Sequence, residues 1–384
     1  MTPTTEAALA DLITAASGPL HVRGGGTRTI GRPVVGEVLD TSGLSGVTLY
    51  EPGALTLVAQ AGTPLAEITA LLATEHQRLA FEPPDLRGLL GTDGNSTIGG
   101  VVAANASGPR RVQAGACRDF LLGVRYIDGT GAVVKNGGRV MKNVTGYDLV
   151  KLMAGSHGTL GVLTEVSLKV LPTPETAACI ILEGLDWGQA QSAMSRALGS
   201  PFDVTGVSHA PDDGTTPART MIRIEGFEGS VAYRAEQIAA RLAEHAPQIE
   251  RDPDTIAAHW AAVRDVAALH DHACVWKLHL KPSDSVGLAA DMRDRHGLDA
   301  LSDWGGGLLW LGAKSDDNTA SLHHEIQTRT AQLGGHATLV KAPQSQRASL
   351  PVLQPEAAPV AALSAGLRAK FDPRGILNPG LMAG

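Results

Sequence analysis

The first residues whose spacing suggests chemistry are three consecutive glycines near the start of the chain. Residues 24–27 read Gly-Gly-Gly-Thr and stand between Arg23 and Arg28. Successive backbone N–H groups in such a run can curl around an anion, and a threonine hydroxyl can add one more donor. The Gly-x-Gly-x-x-Gly spacing of a Rossmann fold and the Gly-Lys-Ser/Thr of a P-loop are both missing from this segment. A flexible turn is the competing interpretation of this cluster.

Two later segments also combine glycines with other small residues. Residues 97–108 read TIGGVVAANASG, and residues 158–161 read GTLG and lead into a strand-like run. Small residues let a flat or charged ligand approach the main chain without intervening side chains. For residues 97–108, a buried helix packed through its small residues is the alternative.

Composition and charge exclude several classes of protein. The chain has 384 residues, of which 43% are hydrophobic and 18% charged, so it is long enough for two globular domains. A net charge of −7 and the lack of a Lys/Arg-rich block argue against nucleic-acid binding. Cys117, Cys179 and Cys274 are too far apart in sequence for a zinc or iron–sulfur site, which favours buried thiols in a reducing compartment. With no secretory signal and no apolar run that could span a bilayer, we predict a cytoplasmic protein without a metal site.

The elements that must position the glycine segments follow an α+β pattern. Residues 164–170 alternate as a strand that Pro172 and Pro174 stop, so we place a domain boundary there. Strand-like and helical runs then alternate from residue 176 to residue 340, which predicts a second α+β domain with one antiparallel sheet. A final helix aligns four apolar residues on one stripe, namely Val360, Leu363, Leu367 and Phe371.

In this order and spacing, the three glycine segments resemble the PCMH-type FAD-binding domain of the vanillyl-alcohol oxidase / p-cresol methylhydroxylase family. The resemblance implies two α+β subdomains with the FAD pyrophosphate held between them by residues 24–27. Residues 97–108 are expected to lie along the cofactor, and residues 158–161 to contact its adenine and ribose side or its ring.

The same resemblance implies three parts of the chain. Residues 1–172 form the two-subdomain FAD-binding domain, and residues 173–341 form an α+β cap domain of substrate type with an antiparallel sheet. Residues 342–384 supply a linker, a helix and a tail that returns to the FAD domain.

The resemblance also names the residues expected to bind FAD. They are Arg23, Gly24, Gly25, Gly26, Thr27, Pro84, Thr97, Ile98, Gly99, Gly100, Asn105, Ser107, Gly108, Gly158, Thr159, Gly161 and Val162. Thr27 stands where covalently flavinylated relatives can carry a histidine, so the FAD is expected to be non-covalent.

Further motifs between about residue 21 and residue 381 resemble the FAD-binding E subunits of bacterial glycolate oxidases. They include GPRR, RDFLLGVR, VMKNVTGYDL, DWGGGLLWL, GGHATL and DPRGILNPG. The resemblance implies an oxidoreductase subunit that helps to oxidise glycolate, a small 2-hydroxy acid, to glyoxylate. Its partners would be a catalytic flavoprotein subunit and an iron–sulfur subunit that passes electrons to quinone, with peripheral membrane association through them. A stand-alone FAD-dependent D-lactate-type dehydrogenase and a non-catalytic assembly subunit stay open as alternatives.

No catalytic base can be assigned from the sequence. The metal-linked histidine pair and GEHGxG-type motif of the catalytic relatives are missing, and no HExxH motif occurs. His323 and His324 are predicted on an exposed helix surface. His336 opens a strand and is a better candidate base, although a structural role is favoured for it.

Several polar residues within the family motifs could contact the cofactor or another anion. Lys142 and Tyr147 could line the cofactor edge. Arg110, Arg111 and Arg118 could receive a carboxylate, a phosphate or the acidic surface of a partner.

Overall fold

The chain folds into two compact units. The computed structural model describes residues 1–139, 146–212 and 214–382. The first unit contains Met1–Ser107, Ala116–Thr173 and Pro355–Gly384, and the second contains Gly108–Gly115 and Pro174–Gln354. The division into domains that the sequence predicts stays a prediction, which limited proteolysis would test.

Helices and strands alternate along both units. The helices are α1 (Glu6–Ala15), α2 (Leu65–Ala73), α3 (Arg87–Leu90), α4 (Ile98–Ala103), α5 (Arg111–Ala114), α6 (Cys117–Phe120), α7 (Leu149–Met153), α8 (Trp187–Leu198), α9 (Glu228–Arg241), α10 (Pro253–Arg264), α11 (Pro282–His296), α12 (Thr319–Gln332), α13 (Gln344–Ser349) and α14 (Ala358–Phe371). The strands are β1 (Leu20–Arg23), β2 (Glu37–Asp40), β3 (Val47–Glu51), β4 (Thr56–Gln60), β5 (Gln77–Arg78), β6 (Leu121–Ile127), β7 (Val133–Gly137), β8 (Val162–Lys169), β9 (Leu171–Pro172), β10 (Thr176–Glu183), β11 (Val204–Ala210), β12 (Arg219–Gly226), β13 (Gln248–Glu250), β14 (Cys274–His279), β15 (Asp299–Asp303), β16 (Leu308–Ala313) and β17 (His336–Lys341).

The first unit is built on an antiparallel sheet with the strand order β3-β4-β8-β6-β7. In β8, Val166 and Leu168 are fully buried while Glu165 and Lys169 are partly exposed, as the alternation in sequence predicts. The strands β1 and β2 form a separate parallel pair that precedes this sheet in the sequence. The first glycine segment directly follows β1. Helix α1 begins at a Thr5 cap and buries its apolar face on β1 and β2.

The second unit is built on one sheet with the order β13-β10-β12-β11-β15-β16-β14-β17. Its strand pairs are antiparallel. Helices α8 and α9 cover one half of a sheet face, and α11 and α12 cover the other half, each over an apolar cluster. The predicted α+β fold with an antiparallel sheet is confirmed.

The prediction of an exposed pair at His323 and His324 is wrong for His323. His324 is exposed, but His323 is 1% exposed because α12 turns it toward the sheet. Trp276 Nε1 donates to His323 Nδ1 over 3.1 Å, and His323 Nε2 lies 2.8 Å from the Pro351 carbonyl oxygen. The ring is therefore a neutral, fully hydrogen-bonded part of the core, and its burial lowers its pKa.

The three cysteines are buried, whereas the last helix exposes apolar residues to solvent. Cys117, Cys179 and Cys274 are free and buried, which confirms the predicted thiols. In α14 the apolar stripe is open to solvent, with exposed fractions of 50% for Val360, 71% for Leu363 and 40% for Leu367. No helix among the described residues is both long enough and apolar enough to cross a membrane.

His209 is expected to make the protein less stable at acidic pH. Its ring is fully buried, with Nδ1 2.9 Å from the Thr220 hydroxyl, and burial lowers its pKa to about 4. An unfolded histidine has a pKa of about 6.5, so the unfolded state takes up the proton first as the pH falls. The contribution is fully present above about pH 6.5, and about 3 kcal/mol of stability is lost as the pH falls toward 4.

Urea unfolding across this pH window measures the effect. The variant His209→Gln should show a shallower loss of stability with falling pH than the parent, and the exposed His324→Gln should behave as the parent does. An identical pH dependence in the parent and His209→Gln would contradict the assignment.

Candidate cofactor site

The glycine run 24–27 directly follows β1, and its first two residues, Gly24 and Gly25, line a cavity of about 260 Å³. Gly24 and Gly25 share this cavity with Thr97, the first residue of the second glycine segment. Two of the three segments singled out in the sequence therefore lie together in the first unit.

Unpaired backbone donors indicate what the glycine run can hold. Within the ranges 1–139, 146–212 and 214–382, the N–H groups of Gly25, Gly26 and Thr27 donate no hydrogen bond. Thr27 is buried and both glycines are half-buried, so bulk water reaches these donors only in part. A consecutive row of such donors attracts an anion. The arrangement fits the pyrophosphate of FAD.

Close packing explains why glycine stands at two of these positions. A Cβ atom added at Gly25 would lie 1.5 Å from the carbonyl oxygen of Asn95, and one added at Gly24 would lie 2.4 Å from the Thr97 hydroxyl oxygen. The nearest obstacle to a side chain at Gly25 is thus the neighbouring loop of the protein. Glycine at these positions allows residues 24–27, which we call the nest, to pack against that loop.

Replacing Gly25 by alanine is expected to lower the flavin occupancy of the purified protein at least about tenfold. The added methyl group displaces the Asn95 carbonyl, and the N–H groups of the nest then lose their alignment. The ratio of flavin to protein absorbance measures the effect. Gly53→Ala is the matched control, because an added Cβ there meets nothing within 4 Å. Parental flavin occupancy in a folded Gly25→Ala variant would count against the site.

Two residues outside the predicted set hold the nest in place. The Arg28 guanidinium donates to the Ser96 hydroxyl over 2.7 Å and to the Pro84 carbonyl. Asn95 supplies the carbonyl that Gly25 packs against. Arg28 directly follows the glycine run, but nothing in its spacing identified these long-range contacts.

Asn378 is a third organiser that sequence reasoning did not identify. Its Oδ1 accepts from Val22 N over 2.8 Å, and its Nδ2 donates to the carbonyl oxygens of Val22 (3.3 Å) and His157 (2.9 Å). Val22 lies two residues before the nest, and His157 directly precedes residues 158–161. One side chain thereby joins the first and third glycine segments. Its positive φ of 43° is a backbone conformation that asparagine tolerates better than most residues.

The second segment contains a short buried helix, as the alternative interpretation predicts, and its first residue, Thr97, lines the cavity. Thr97 caps α4 by accepting from Gly100 N over 3.3 Å, and Ile98 is fully buried. Asn105 Oδ1 accepts from Arg118 N over 2.9 Å, and Ser107 Oγ accepts from Cys117 N over 2.9 Å.

These hydrogen bonds give Asn105 and Ser107 a role in holding α6. Gly108 falls in the second unit, where its carbonyl accepts from Trp304 Nε1 over 3.0 Å. Direct contact of these three residues with FAD stays a prediction.

The third segment combines a left-handed glycine with buried residues. Gly158 has a φ of 70°, and the buried Thr159 hydroxyl donates to the Ser156 carbonyl over 2.7 Å. A Cβ at Gly161 would lie 2.6 Å from the Tyr126 ring, and Val162 packs in the apolar core. The Thr159 N–H also donates to the Ser156 carbonyl, over 3.0 Å, so contact of Gly158 and Thr159 with FAD stays a prediction, and Val162 contributes mainly packing.

Comparisons with known proteins agree with this geometry. Residues 1–137 match a family described as FAD binding domain. Over 367 residues the chain is 36% identical to "Glycolate oxidase subunit GlcE" of Escherichia coli (strain K12), covering 95% of this chain and 92% of that protein. The chain belongs to this family of FAD-binding proteins.

Other relatives match shorter stretches. "Glycolate oxidase subunit GlcD" of Bacillus subtilis (strain 168) is 33% identical over 166 residues, which cover 42% of this chain and 34% of that protein. "D-lactate dehydrogenase" of Anaerostipes hadrus is 45% identical over 87 residues, covering 23% of this chain and 18% of that protein. Among solved structures, an alkyldihydroxyacetonephosphate synthase has a TM-score of 0.73 at 17% identity, over 99% of this chain and 76% of that one, which shows a shared fold.

Membership of this family confirms the prediction of FAD as the cofactor. The fit of the 24–27 nest to a pyrophosphate agrees with it. The individual FAD-binding residues and the absence of a covalent link stay predictions.

The other candidate residues fall into different environments. Lys142 lies outside the described residues, Tyr147 is 87% exposed, and Arg118 is exposed. Arg110 already receives a carboxylate: its guanidinium donates to Glu225 over 2.8–3.2 Å. Arg111 lies over the Trp304 ring, 4.5 Å from its centre.

His336, the candidate base, is exposed, and its ring stacks on His279 with centroids 4.6 Å apart.

Proposed function

We propose that this chain is the FAD-binding subunit of a glycolate oxidase complex, which oxidises glycolate to glyoxylate. The observation that carries the proposal is the row of unpaired N–H groups at residues 25–27. Similarity to a glycolate oxidase subunit over 95% of the chain supports this particular activity. FAD, when bound, would supply the redox chemistry by accepting electrons and passing them on.

The residues of this chain contribute binding and alignment to that reaction. In the proposal, the nest N–H groups hold the pyrophosphate, and Arg28 and Asn378 keep the surrounding segments in register. We assign no catalytic base to this chain, so the main substrate oxidation is proposed for a partner flavoprotein subunit. Electrons would then pass to an iron–sulfur subunit and on to quinone, with peripheral association at the cytoplasmic membrane through these partners.

The open face of α14 supports assembly with other subunits. Val360, Leu363 and Leu367 lie on one side of this helix, and each is at least 40% exposed. A contiguous apolar stripe on a soluble surface is typical of a protein–protein contact. The proposal of a multi-subunit complex agrees with this surface.

Reconstitution tests the proposal. The chain is purified alone and together with a GlcD-like and an iron–sulfur subunit, and glycolate-dependent reduction of an artificial electron acceptor is measured. We expect a yellow but inactive chain alone and activity in the complete complex. Activity of the chain alone with glycolate or D-lactate would favour a stand-alone dehydrogenase, and a colourless chain would favour an assembly subunit.

The FAD is expected to leave the protein on denaturation. Thr27 offers no side chain suited to a covalent flavin link, so acid denaturation followed by filtration should release the yellow chromophore into the filtrate. Absorbance of filtrate and retained protein measures the distribution. Chromophore that stays with the denatured protein would overturn the prediction of a non-covalent cofactor.

A further inference from the structure

A buried hydroxyl group beside the third glycine segment has no hydrogen-bond partner. Ser156 is 6% exposed, and its Oγ is buried without a partner among residues 1–139, 146–212 and 214–382. The main chain of this residue is satisfied, because Ser156 N donates to the Met153 carbonyl over 3.2 Å and its own carbonyl accepts from Thr159 N over 3.0 Å. An unpartnered buried hydroxyl costs free energy, which a ligand that bonds to it would offset.

Main-chain hydrogen bonds hold the residues on both sides of Ser156 against the second glycine segment. Gly155 N donates to the Val102 carbonyl over 3.2 Å. His157 N donates to the Ala103 carbonyl over 2.9 Å. Both carbonyls belong to the last turn of α4, so Ser156 lies where the third glycine segment meets the second.

The Asn378 side chain joins the same place to the first glycine segment. Its Nδ2 donates to the His157 carbonyl over 2.9 Å and to the Val22 carbonyl over 3.3 Å. Val22 lies two residues before the nest, and all of these residues belong to the first unit. The three segments that are expected to contact FAD are therefore tied together next to Ser156.

The backbone around Ser156 adopts left-handed conformations at residues other than glycine. The φ angles are 51° for His157, 45° for Asn105 and 43° for Asn378. Asn105 lies close to the chain before Ser156, since a Cβ atom added at Gly155 would be 3.6 Å from Asn105 Cβ. Strained backbone of this kind is found preferentially at ligand-binding sites. It points to a bound ligand independently of the unpartnered hydroxyl.

We propose that the Ser156 hydroxyl forms a hydrogen bond with FAD and is a further residue of the cofactor site. The inference rests on the proposed function, in which the first unit binds FAD. A serine hydroxyl donates to a phosphate or carbonyl oxygen and accepts from a ribose hydroxyl, so it suits the polar groups of a dinucleotide. Ser156 is not among the FAD-binding residues that the family resemblance implies.

Alanine at position 156 tests the proposal through two measurements. Ser156→Ala removes the hydroxyl group and keeps Cβ. Fluorimetric titration of the full-length apoprotein with FAD should give a dissociation constant about fivefold to tenfold above the parental value, the loss expected for one hydrogen bond. Urea unfolding of the apoprotein should show no loss of stability, because the variant no longer buries an unpartnered polar atom.

Ser302→Ala is the matched control. Ser302 lies on β15 in the second unit and is 1% exposed, and its Oγ is also buried without a partner in the part of the chain that the structure describes. The same substitution there should leave the FAD dissociation constant at the parental value and the apoprotein at least as stable. The two variants separate the loss of a cofactor contact from the general effect of removing a buried hydroxyl.

Thermal unfolding with and without FAD separates a cofactor contact from a structural role. At the same excess of FAD, the cofactor should raise the Tm of Ser156→Ala by less than it raises the Tm of the parent and of Ser302→Ala, because the gain depends on the affinity. A structural hydroxyl would instead lower the stability of the apoprotein when it is removed.

The outcomes distinguish this residue from the proposed function. Parental FAD affinity in Ser156→Ala, equal weakening in Ser302→Ala, or a less stable Ser156→Ala apoprotein would overturn the role of Ser156. Any of these together with an active reconstituted complex leaves the function standing. Weaker FAD binding in Ser156→Ala alone, together with an inactive complete complex, refutes the function and leaves the contact standing. A parent that binds no FAD would refute both.

Discussion

Substituting Asn378 by aspartate is expected to weaken FAD binding by about tenfold to a hundredfold and to destabilise the first unit by about 2–3 kcal/mol. The Asn378 side chain is 3% exposed, and its Nδ2 donates to the carbonyl oxygens of Val22 and His157. Aspartate has nearly the same shape but places a buried carboxylate against these two oxygens. The first and third glycine segments are then expected to separate, and the added charge would repel a pyrophosphate held at residues 24–27.

Fluorimetric titration of the apoprotein with FAD measures this loss, and thermal unfolding with and without excess FAD measures the stability. Asn318→Asp is the matched control, because Asn318 is exposed and its side chain forms no capping hydrogen bond. Parental FAD affinity in Asn378→Asp would show that the nest and residues 158–161 do not depend on this link.

Substituting Glu225 by glutamine is expected to destabilise the second unit by about 3–5 kcal/mol. Glu225 is 5% exposed and accepts from Arg110 in bidentate geometry, while Arg223 lies 3.6 Å away with its side chain 2% exposed. Arg223 also lies over the Trp260 ring, 4.3 Å from its centre. Without the carboxylate, two arginines face each other in a poorly solvated site. Arg110 then loses the partner that holds residues 108–115 on this unit.

The exposed pair of Arg251 and Glu236 provides the comparison. Their side chains are 50% and 63% exposed, so Glu236→Gln should cost about 0–1 kcal/mol. Urea unfolding of both variants measures the difference. Equal losses of stability in Glu225→Gln and Glu236→Gln would contradict the conclusion that the Arg110–Glu225–Arg223 group is poorly solvated.

Much of the fold could be predicted because alternation and turn residues act locally. The strand β8 was evident from its alternation, and helix α14 was evident from its apolar stripe. The sequence predicted an antiparallel sheet in the second unit, although β11 and β15 were not recognised. Their pairing depends on long-range contacts between segments that carry mixed polar and apolar residues.

The polar sequence of α12 led to the wrong prediction that His323 is exposed. Thr319, Gln327 and Thr330 share its buried face of α12, so that face reads as a solvent-exposed one in sequence. The side chains of His323 and Gln327 form hydrogen bonds with distant residues, namely Trp276, Pro351 and Leu353. Only the three-dimensional structure supplies those partners.

The glycines of the candidate site could be predicted from the sequence, but the residues that hold them in place could not. A run of glycines indicates a main chain that approaches another group closely, so residues 24–27 could be identified from the sequence. Asn95 and Asn378 act through contacts that leave no local pattern.

The link between Val22 and Asn378 spans 356 positions in the chain and governs when the cofactor site can form during synthesis. At about 5–20 residues per second, a ribosome takes on the order of 20–70 s to make the intervening segment. Residues 174–354 emerge in that interval and can fold before Asn378 is available to form its hydrogen bond with Val22 beside the nest. Flavin loading is thereby delayed until late in translation, and nascent chains that stall before residue 378 should leave the ribosome without a firmly held cofactor.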